Sequence, residues 1–147
     1  MYRRGWGTAP NPVVAANWFR KAAEQGNSRA QENLGVMLRD GEGVAQNFSE
    51  AREWFRKAAE QGNADGQLNL GALYFNGQGV PRNEAEAANW FRKSAEQGNA
   101  AAQFNLGLMY EKGLGGLSAD KAQAREWFRR AAAGGHAQAK GKLDAKN

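Results

Sequence analysis

The stretch WFRKAAEQGN, residues 18–27, returns unchanged at residues 54–63, with one change at residues 90–99 and with several changes at residues 127–136. The tryptophans that open the four copies are 36, 36 and 37 residues apart. A regular period of this length is typical of one supersecondary unit that repeats along the chain. With 147 residues, of which 41% are apolar, the chain can order itself by stacking such units. The sequence therefore predicts a repeat array and not a single globular core.

Each copy of this stretch lies in a predicted amphipathic helix, which we name helix B. In the first copy, Pro12 suits the first helical position, and Val14 and Trp18 follow at helical spacing. The later copies begin with pairs of residues that resemble capping boxes: Asn47 with Glu50, Asn83 with Glu86, and Asp120 with Gln123. Each copy ends at a glycine that can adopt a left-handed conformation: Gly26, Gly62, Gly98 and Gly135.

A second helix, named helix A, is predicted directly after each of these glycines. Its apolar stripe has the spacing of one helix face, as with Ala30, Leu34 and Leu38 in the first copy. Three copies carry a glycine inside the helix: Gly35, Gly71 and Gly107. Because each costs about 1 kcal/mol relative to alanine, we expect a neighbouring helix to approach closely there. The prediction is all-α, without strands, with helices over residues 12–25, 28–40, 48–61, 64–76, 84–97, 100–112, 121–133 and 137–145.

These helices are expected to form a single repeat array over residues 1–147. The array consists of a partial N-terminal repeat, three full repeats and a C-terminal capping helix: residues 1–26, 27–62, 63–98, 99–135 and 136–147. A polar last helix is expected because the exposed apolar end of a solenoid would be adhesive. The first seven residues, MYRRGWG, match MYEKGLG at residues 109–115. We therefore expect the chain to start within a repeat, either as a piece of a longer array or after removal of a signal peptide.

The pattern of both helices resembles the Sel-one-like repeat (SLR) family, which is related to the tetratricopeptide repeat. In the second copy the matching residues are Ala51, Trp54, Lys57, Ala58, Ala59, Gly62, Ala64, Gln67, Leu70, Gly71, Tyr74, Gly77 and Gly79. The resemblance implies antiparallel helix pairs stacked into a right-handed α-solenoid, and a role as an adaptor that assembles other proteins. Some exported bacterial members carry a disulfide in each repeat. This chain has no cysteine and departs from that group.

No arrangement of residues in the sequence suits catalysis. The only histidine, His136, stands where the other copies have an asparagine at the start of helix A. The Gly-x-Gly loops at residues 41–43 and 77–79 follow helices and not strands, so we interpret them as turns and not as phosphate-binding loops. We predict no enzyme activity, no catalytic residue, no metal site and no cofactor.

A formal charge of +5 raises nucleic-acid binding as an alternative function. Basic pairs recur along the array: Arg20-Lys21, Arg56-Lys57, Arg92-Lys93 and Arg129-Arg130. Glutamates follow four residues after the first three arginines, where intrahelical ion pairs form: Glu24, Glu60 and Glu96. The ladder also lacks regularly spaced aromatic residues for base stacking, so nucleic acid is not the predicted partner. No run of eighteen apolar residues occurs, so a membrane is not predicted either, and the compartment stays open.

The positions that differ between copies of helix A predict a binding surface. They are spaced by three, four and three residues and so share one helix face. In tetratricopeptide-like solenoids the corresponding face lines the concave surface, so we predict a groove for a peptide or protein partner. Its candidate residues are Arg29, Glu32, Val36, Arg39, Asp65, Leu68, Ala72, Phe75, Ala101, Phe104, Leu108 and Glu111, with Asp40, Asn76 and Lys112 on its margin. Two alternatives are that the apolar members pack against a flanking helix B, and that the chain is a spacer of consensus-like repeats without a ligand.

Two further expectations concern the ends of the array. Val13 and Val14 lie on the side of the first helix B where a preceding helix A is missing, which predicts end-to-end self-association. Trp127 precedes the short final helix and is expected to be somewhat more exposed than the tryptophans of the internal junctions.

Overall fold

The computed structural model describes residues 11–145, which form eight helices. They are α1 (Pro12–Glu24), α2 (Ser28–Asp40), α3 (Phe48–Glu60), α4 (Ala64–Asn76), α5 (Glu84–Glu96), α6 (Ala100–Lys112), α7 (Lys121–Ala133) and α8 (Ala137–Asp144). Odd-numbered helices are the B helices, and even-numbered helices are the A helices. No strand occurs in residues 11–145. Every helix begins where the sequence predicts and ends within one residue of the predicted position.

The predicted N-caps are confirmed, but the second half of the capping box has another use. The Asn47 side chain accepts a hydrogen bond from the backbone N–H of Glu50 at 2.9 Å. The backbone N–H of Asn47 already donates to the carbonyl of Leu38 at 2.8 Å. The Glu50 carboxylate therefore does not need to satisfy it, and accepts the indole N–H of Trp54 at 3.2 Å instead.

The glycines have the roles predicted for them. The four that follow the B helices have φ between 92° and 97°: Gly26, Gly62, Gly98 and Gly135. Inside helix A, a Cβ added to Gly71 would lie 2.8 Å from the ring of Phe91 in the next B helix. Gly35 and Gly107 meet equivalent phenylalanine rings at 2.5 and 2.6 Å. The close approach of the two helices is the reason for the glycine.

The array is held together by the packing of each internal B helix against the A helices on both sides of it in the chain. Leu70 and its equivalents in the neighbouring A helices are fully buried in these junctions. Buried glutamines of the A helices add polar contacts both within and between repeats. Gln67 donates to the carbonyl of Ala59 at 3.2 Å and accepts a hydrogen bond from Gln97 at 2.8 Å. Neighbouring repeats are thus joined by both apolar and directional contacts.

The four tryptophans differ in exposure at one end of the array. Trp54, Trp90 and Trp127 are 8%, 8% and 6% exposed, whereas Trp18 is 52% exposed. The expectation that Trp127 would be more exposed is wrong. The tryptophan of a B helix packs on the preceding A helix, here against Leu106 of α6, so the shorter α8 does not uncover it. Trp18 is exposed because no helix precedes α1 within the described residues.

Candidate binding groove

The A helices of successive repeats lie side by side, and their variable positions share one surface. Helix α2 contacts α4 directly, and the side chain of Asn69 in α4 hydrogen bonds to Glu32 and Arg39 of α2. We name this surface the A-helix groove and define it by the twelve predicted positions: Arg29, Glu32, Val36, Arg39, Asp65, Leu68, Ala72, Phe75, Ala101, Phe104, Leu108 and Glu111. Of these, Arg29 and Asp65 are exposed, nine are half-buried and Phe104 is buried.

The last repeat closes the groove at its C-terminal end. Phe104 was expected to lie open, but it is only 9% exposed, because its ring stacks on His136 with 4.5 Å between centroids and lies 5.6 Å from Phe128. His136 is the N-cap of α8, as its position predicts, and its Nδ1 accepts a backbone N–H of that helix at 3.2 Å. Glu111 is bound by Lys142 of α8 at 2.9 Å. Both predicted groove residues therefore contact the final helix hairpin.

The first part of the groove, between α2 and α4, is filled by a polar network. Asn69 donates from Nδ2 to Glu32 Oε2 at 3.0 Å, and Arg39 donates from Nη1 to Asn69 Oδ1 at 3.2 Å. Arg39 also donates from Nε to Asp40 Oδ1 at 2.8 Å. Burial, and then the nearby charge of Asp65, raises the pKa of Glu32, whereas the hydrogen bond from Arg39 lowers the pKa of Asp40. Glu32, Arg39 and Asn69 are therefore engaged with one another in this part of the groove.

The second part, between α4 and α6, contains an open pocket of about 290 Å³. Its wall is apolar and its polar side chains are two amides and one ammonium: Ala72, Phe75, Phe91, Leu108, Met109 and Leu114, with Asn76, Asn105 and Lys112. Neither the Asn105 amide nor the Lys112 ammonium forms a hydrogen bond or ion pair with another residue of the described chain. The pocket thus offers space for a large apolar side chain beside unused polar groups.

Two differences between repeats explain why this junction is open. Arg39 and Glu32 of α2 both bind Asn69, but the equivalent residues of α4 are Phe75 and Leu68. A phenylalanine cannot donate a hydrogen bond, and the ring of Phe75 lies 6.5 Å from that of Phe91. As a result, Asn105, which is the equivalent of Asn69, keeps its amide free at the edge of an apolar cavity.

The asparagines at the centre of the groove are absent from the predicted site. Asn33, Asn69 and Asn105 occupy the same position in three copies of helix A, and positions that do not vary were attributed to the fold. A signal for their role was present in the sequence. These asparagines stand inside an apolar helix pattern, away from the helix start where asparagine acts as a cap. Of the predicted margin residues, Asn76 and Lys112 line the pocket.

The basic ladder on the B helices is engaged by the protein itself. The Lys57 ammonium lies 4.6 Å from the ring centroid of Trp54, and that of Lys93 lies 4.5 Å from Trp90. The arginines also have partners: Arg56 contacts Glu60 at 3.7 Å, Arg20 contacts Glu50 at 3.0 Å, and Arg92 donates to the Tyr110 hydroxyl at 2.6 Å. The predicted spacing of four residues thus accounts for the Arg56 pair, whereas Arg20 and Arg92 reach across to other helices. Ring faces and counter-charges hold these cations on the surface of the array.

The described residues contain neither a cluster of metal-binding side chains nor a helix that could span a membrane. Across residues 11–145, His, Asp and Glu side chains form no group of three or more that could hold a metal ion. In the same part of the chain, no helix combines the length and apolar character that crossing a membrane requires.

Antiparallel helix pairs stacked in one direction, with their A helices in a continuous row, define an α-solenoid repeat protein. The chain belongs to the Sel1 repeat family, whose model matches residues 1–27, 28–63, 64–99 and 100–136. This match confirms the predicted resemblance and fold class. Proteins of the family are generally protein-interaction scaffolds and are typically non-catalytic.

Two solved structures of bacterial proteins are similar to this chain at 38% sequence identity. One is c5321, a protective antigen present in uropathogenic Escherichia coli strains and displaying an SLR fold, with a TM-score of 0.93 over 99% of this chain and 31% of that chain. The other is a Sel1 repeat protein from Oxalobacter formigenes, with a TM-score of 0.89 over 97% of this chain and 58% of that chain. This chain therefore spans less than two thirds of the length of either.

A third solved structure, that of a cysteine-rich protein, has the same fold as this chain. Helicobacter pylori cysteine rich protein B is 24% identical and superimposes with a TM-score of 0.71 over 93% of this chain and 98% of its own. The present chain reaches the same architecture with no cysteine. No curated protein shows significant sequence similarity to the chain.

Proposed function

We propose that this chain is a non-catalytic scaffold whose A-helix groove is concave and binds an extended segment of a partner protein. The open pocket between α4 and α6, with the free amide of Asn105 at its edge, is the observation that carries this proposal. Binding sites are commonly apolar concavities with a few polar groups that fix the orientation of the ligand. An asparagine side chain can donate to one backbone group of a peptide and accept from another.

The chemistry of the pocket favours binding over catalysis. Its polar side chains are Asn76, Asn105 and Lys112, and none of its lining residues is a carboxylate or a histidine. This set can hold and orient a peptide but does not provide an acid–base pair for proton transfer.

The two alternative functions have less support. Nucleic-acid binding would use the basic ladder, but Lys57 and Lys93 lie over tryptophan rings and Arg56 is paired with Glu60. A spacer would need only the packing between repeats, and that packing does not account for a free amide beside an open apolar pocket.

The chain itself supplies the design of a variant that closes the pocket. The double substitution Phe75→Arg with Asn76→Asp reproduces at the second junction the Arg39 and Asp40 pair of the first junction. The new guanidinium should then reach the amide of Asn105, as Arg39 reaches Asn69. A matched control is Ala85→Arg, which adds a guanidinium at an exposed position of the B helix α5.

Selection from a phage-displayed library of random dodecapeptides tests the proposal without knowledge of the natural partner. We expect the selection to yield a family of binding peptides. The affinity of synthetic copies, measured by fluorescence anisotropy, should be at least about tenfold lower for the double variant, which corresponds to a loss of about 1.4 kcal/mol in binding free energy. Ala85→Arg should leave the affinity unchanged, and circular dichroism should show all three proteins folded. The proposal is wrong if no peptides are selected, or if the double variant binds them as well as the original chain does.

A further inference from the structure

The lining of the pocket also specifies the chemistry of the segment that it accepts. We infer that the partner segment carries a large apolar residue and an acidic side chain two positions away from it. The apolar residue enters the pocket, and the carboxylate pairs with Lys112. This inference rests on the proposed function and identifies the class of peptide that the groove binds.

The geometry of α6 sets the distance between the two features. Asn105, Leu108 and Lys112 follow one another along the same helix, and all three line the pocket. Lys112 lies one helical turn beyond Leu108, which corresponds to about 6 Å along the helix axis. In an extended peptide, residues two positions apart point to the same side and are about 7 Å apart. An apolar side chain against Leu108 therefore places the side chain two positions away close to Lys112.

The charges around the pocket favour an acidic side chain at that position. Lys112 has no ion-pair partner within residues 11–145, and no carboxylate lines the pocket. The neighbouring Glu111 is held by Lys142 of α8, so it does not neutralise Lys112. A second cation, Arg82, lies over the ring of Phe75 with 5.3 Å to its centroid. Its ion pair with Glu84 reduces its effect, which leaves Lys112 as the main charge offered to a ligand.

We assign the carboxylate to an aspartate or glutamate within the segment and not to a chain terminus. Asn76 and Lys112 line the pocket and are both exposed, so the pocket is open to solvent at this end, and a segment that lies along α6 can continue past Lys112. A bound segment can therefore extend beyond the pocket, and its apolar anchor does not have to be the end of a chain.

The selected dodecapeptides provide the test. Their sequences should be enriched in Asp or Glu two positions from a large apolar residue, compared with the unselected library. Replacing that acid by its amide in a synthetic peptide should weaken binding about fivefold or more at low salt and less at high salt, since salt screens exposed charges. When the Lys112→Glu variant is the target of the selection, the selected peptides should instead be enriched in Lys or Arg at that position. Lys121→Glu makes the same charge change at an exposed position of α7 and should keep the acidic preference.

Other outcomes separate the inference from the proposed function. Peptides that bind in the pocket without an acidic preference would overturn the inference and leave the proposed function standing. Binding that requires a free C-terminal carboxylate, and is lost in C-terminally amidated peptides, would also overturn it. If no peptide depends on the pocket, both the inference and the proposed function fail.

Discussion

Trp127 lacks the hydrogen bond that the equivalent buried tryptophans of α3 and α5 make. Trp54 and Trp90 donate their indole N–H groups to Glu50 and Glu86, four residues earlier, at 3.2 and 3.3 Å. The residue four positions before Trp127 is Gln123, and the buried Nε1 of Trp127 has no acceptor in the described chain. A buried donor without an acceptor costs about 1–3 kcal/mol.

We predict that Gln123→Glu stabilises the protein. The new carboxylate can accept the indole N–H of Trp127, as Glu86 accepts that of Trp90. A negative charge in the first turn of α7 also interacts favourably with the helix dipole. The free energy of unfolding in urea should rise by about 1 kcal/mol, the usual net value of one hydrogen bond. The reciprocal variant Glu86→Ala removes the acceptor of the Trp90 indole N–H and should lower the free energy of unfolding. An unchanged stability in Gln123→Glu would show that Trp127 does not need this partner.

Two glycines inside A helices should respond in opposite ways to alanine. A Cβ at Gly71 would lie 2.8 Å from the ring of Phe91, so we expect Gly71→Ala to lower the free energy of unfolding by about 1–3 kcal/mol. Gly141, inside α8, has open space around its Cβ position. There the gain in helix propensity should dominate and raise stability by about 0.5–1 kcal/mol. Thermal and urea melts of both variants measure the difference, and a stable Gly71→Ala would contradict the role assigned to close helix packing.

At the scale of packed helices, the contact between α2 and α4 contains the carboxyl group of Glu32, whose charged form opposes folding. Burial and the charge of Asp65 raise the pKa of Glu32 in the folded protein above its usual value of 4.5. Folding therefore favours the protonated form. The stabilisation is fully present below the pKa of the unfolded chain, and it is lost as the pH rises through the folded pKa.

We predict that Glu32→Gln is more stable than the original chain at pH 7 but not at pH 4. The glutamine keeps an oxygen that can accept the hydrogen bond from Asn69, and it removes the buried charge. The difference in melting temperature should be positive at pH 7 and should disappear as the pH approaches 4. Glu42→Gln, at an exposed loop position, is the control and should show no such trend. A difference that grows towards low pH would have the wrong sign for this explanation.

For the molecule as a whole, the two ends of the array are not equivalent. The α1 end exposes Val13, Val14 and Trp18 at 55%, 37% and 52%, in agreement with the predicted apolar end. At the other end, Asp144 occupies the position that is Gly107 in α6. A Cβ at Gly107 would lie 2.6 Å from the ring of the next B helix, so Asp144 hinders a second copy from stacking its α1 on α8. We therefore expect self-association to join α1 to α1 about a two-fold axis.

We predict that residues 1–147 form a concentration-dependent dimer that does not grow into longer chains. Sedimentation velocity should show a monomer at low concentration and a dimer at high concentration, and Trp18→Glu should shift the equilibrium to the monomer. The control Gln123→Glu, on α7, should not affect it. A monomer at every concentration would contradict self-association, and open-ended polymers would contradict the role of Asp144.

The amino-acid sequence was sufficient to predict the repeat, the helices and the places where they touch. Their causes are local and periodic: Asn47 caps the helix that follows it, Gly62 permits the turn after it, and Gly71 marks a contact that recurs once per repeat. The same reasoning predicted which helix positions share a face, and three of them, Ala72, Phe75 and Leu108, line the pocket.

The pocket itself depends on contacts between helices whose equivalent residues are 36 positions apart in the chain. Whether the groove is open depends on how far each side chain reaches: Arg39 bridges to Asn69, whereas Phe75 leaves Asn105 free. Phe104 has the same place in its helix as the half-buried Leu68, yet it is covered because His136 stacks on it. Spacing along the chain defines the direction of a side chain but not what another helix places in front of it, so these contacts emerged only from the folded arrangement.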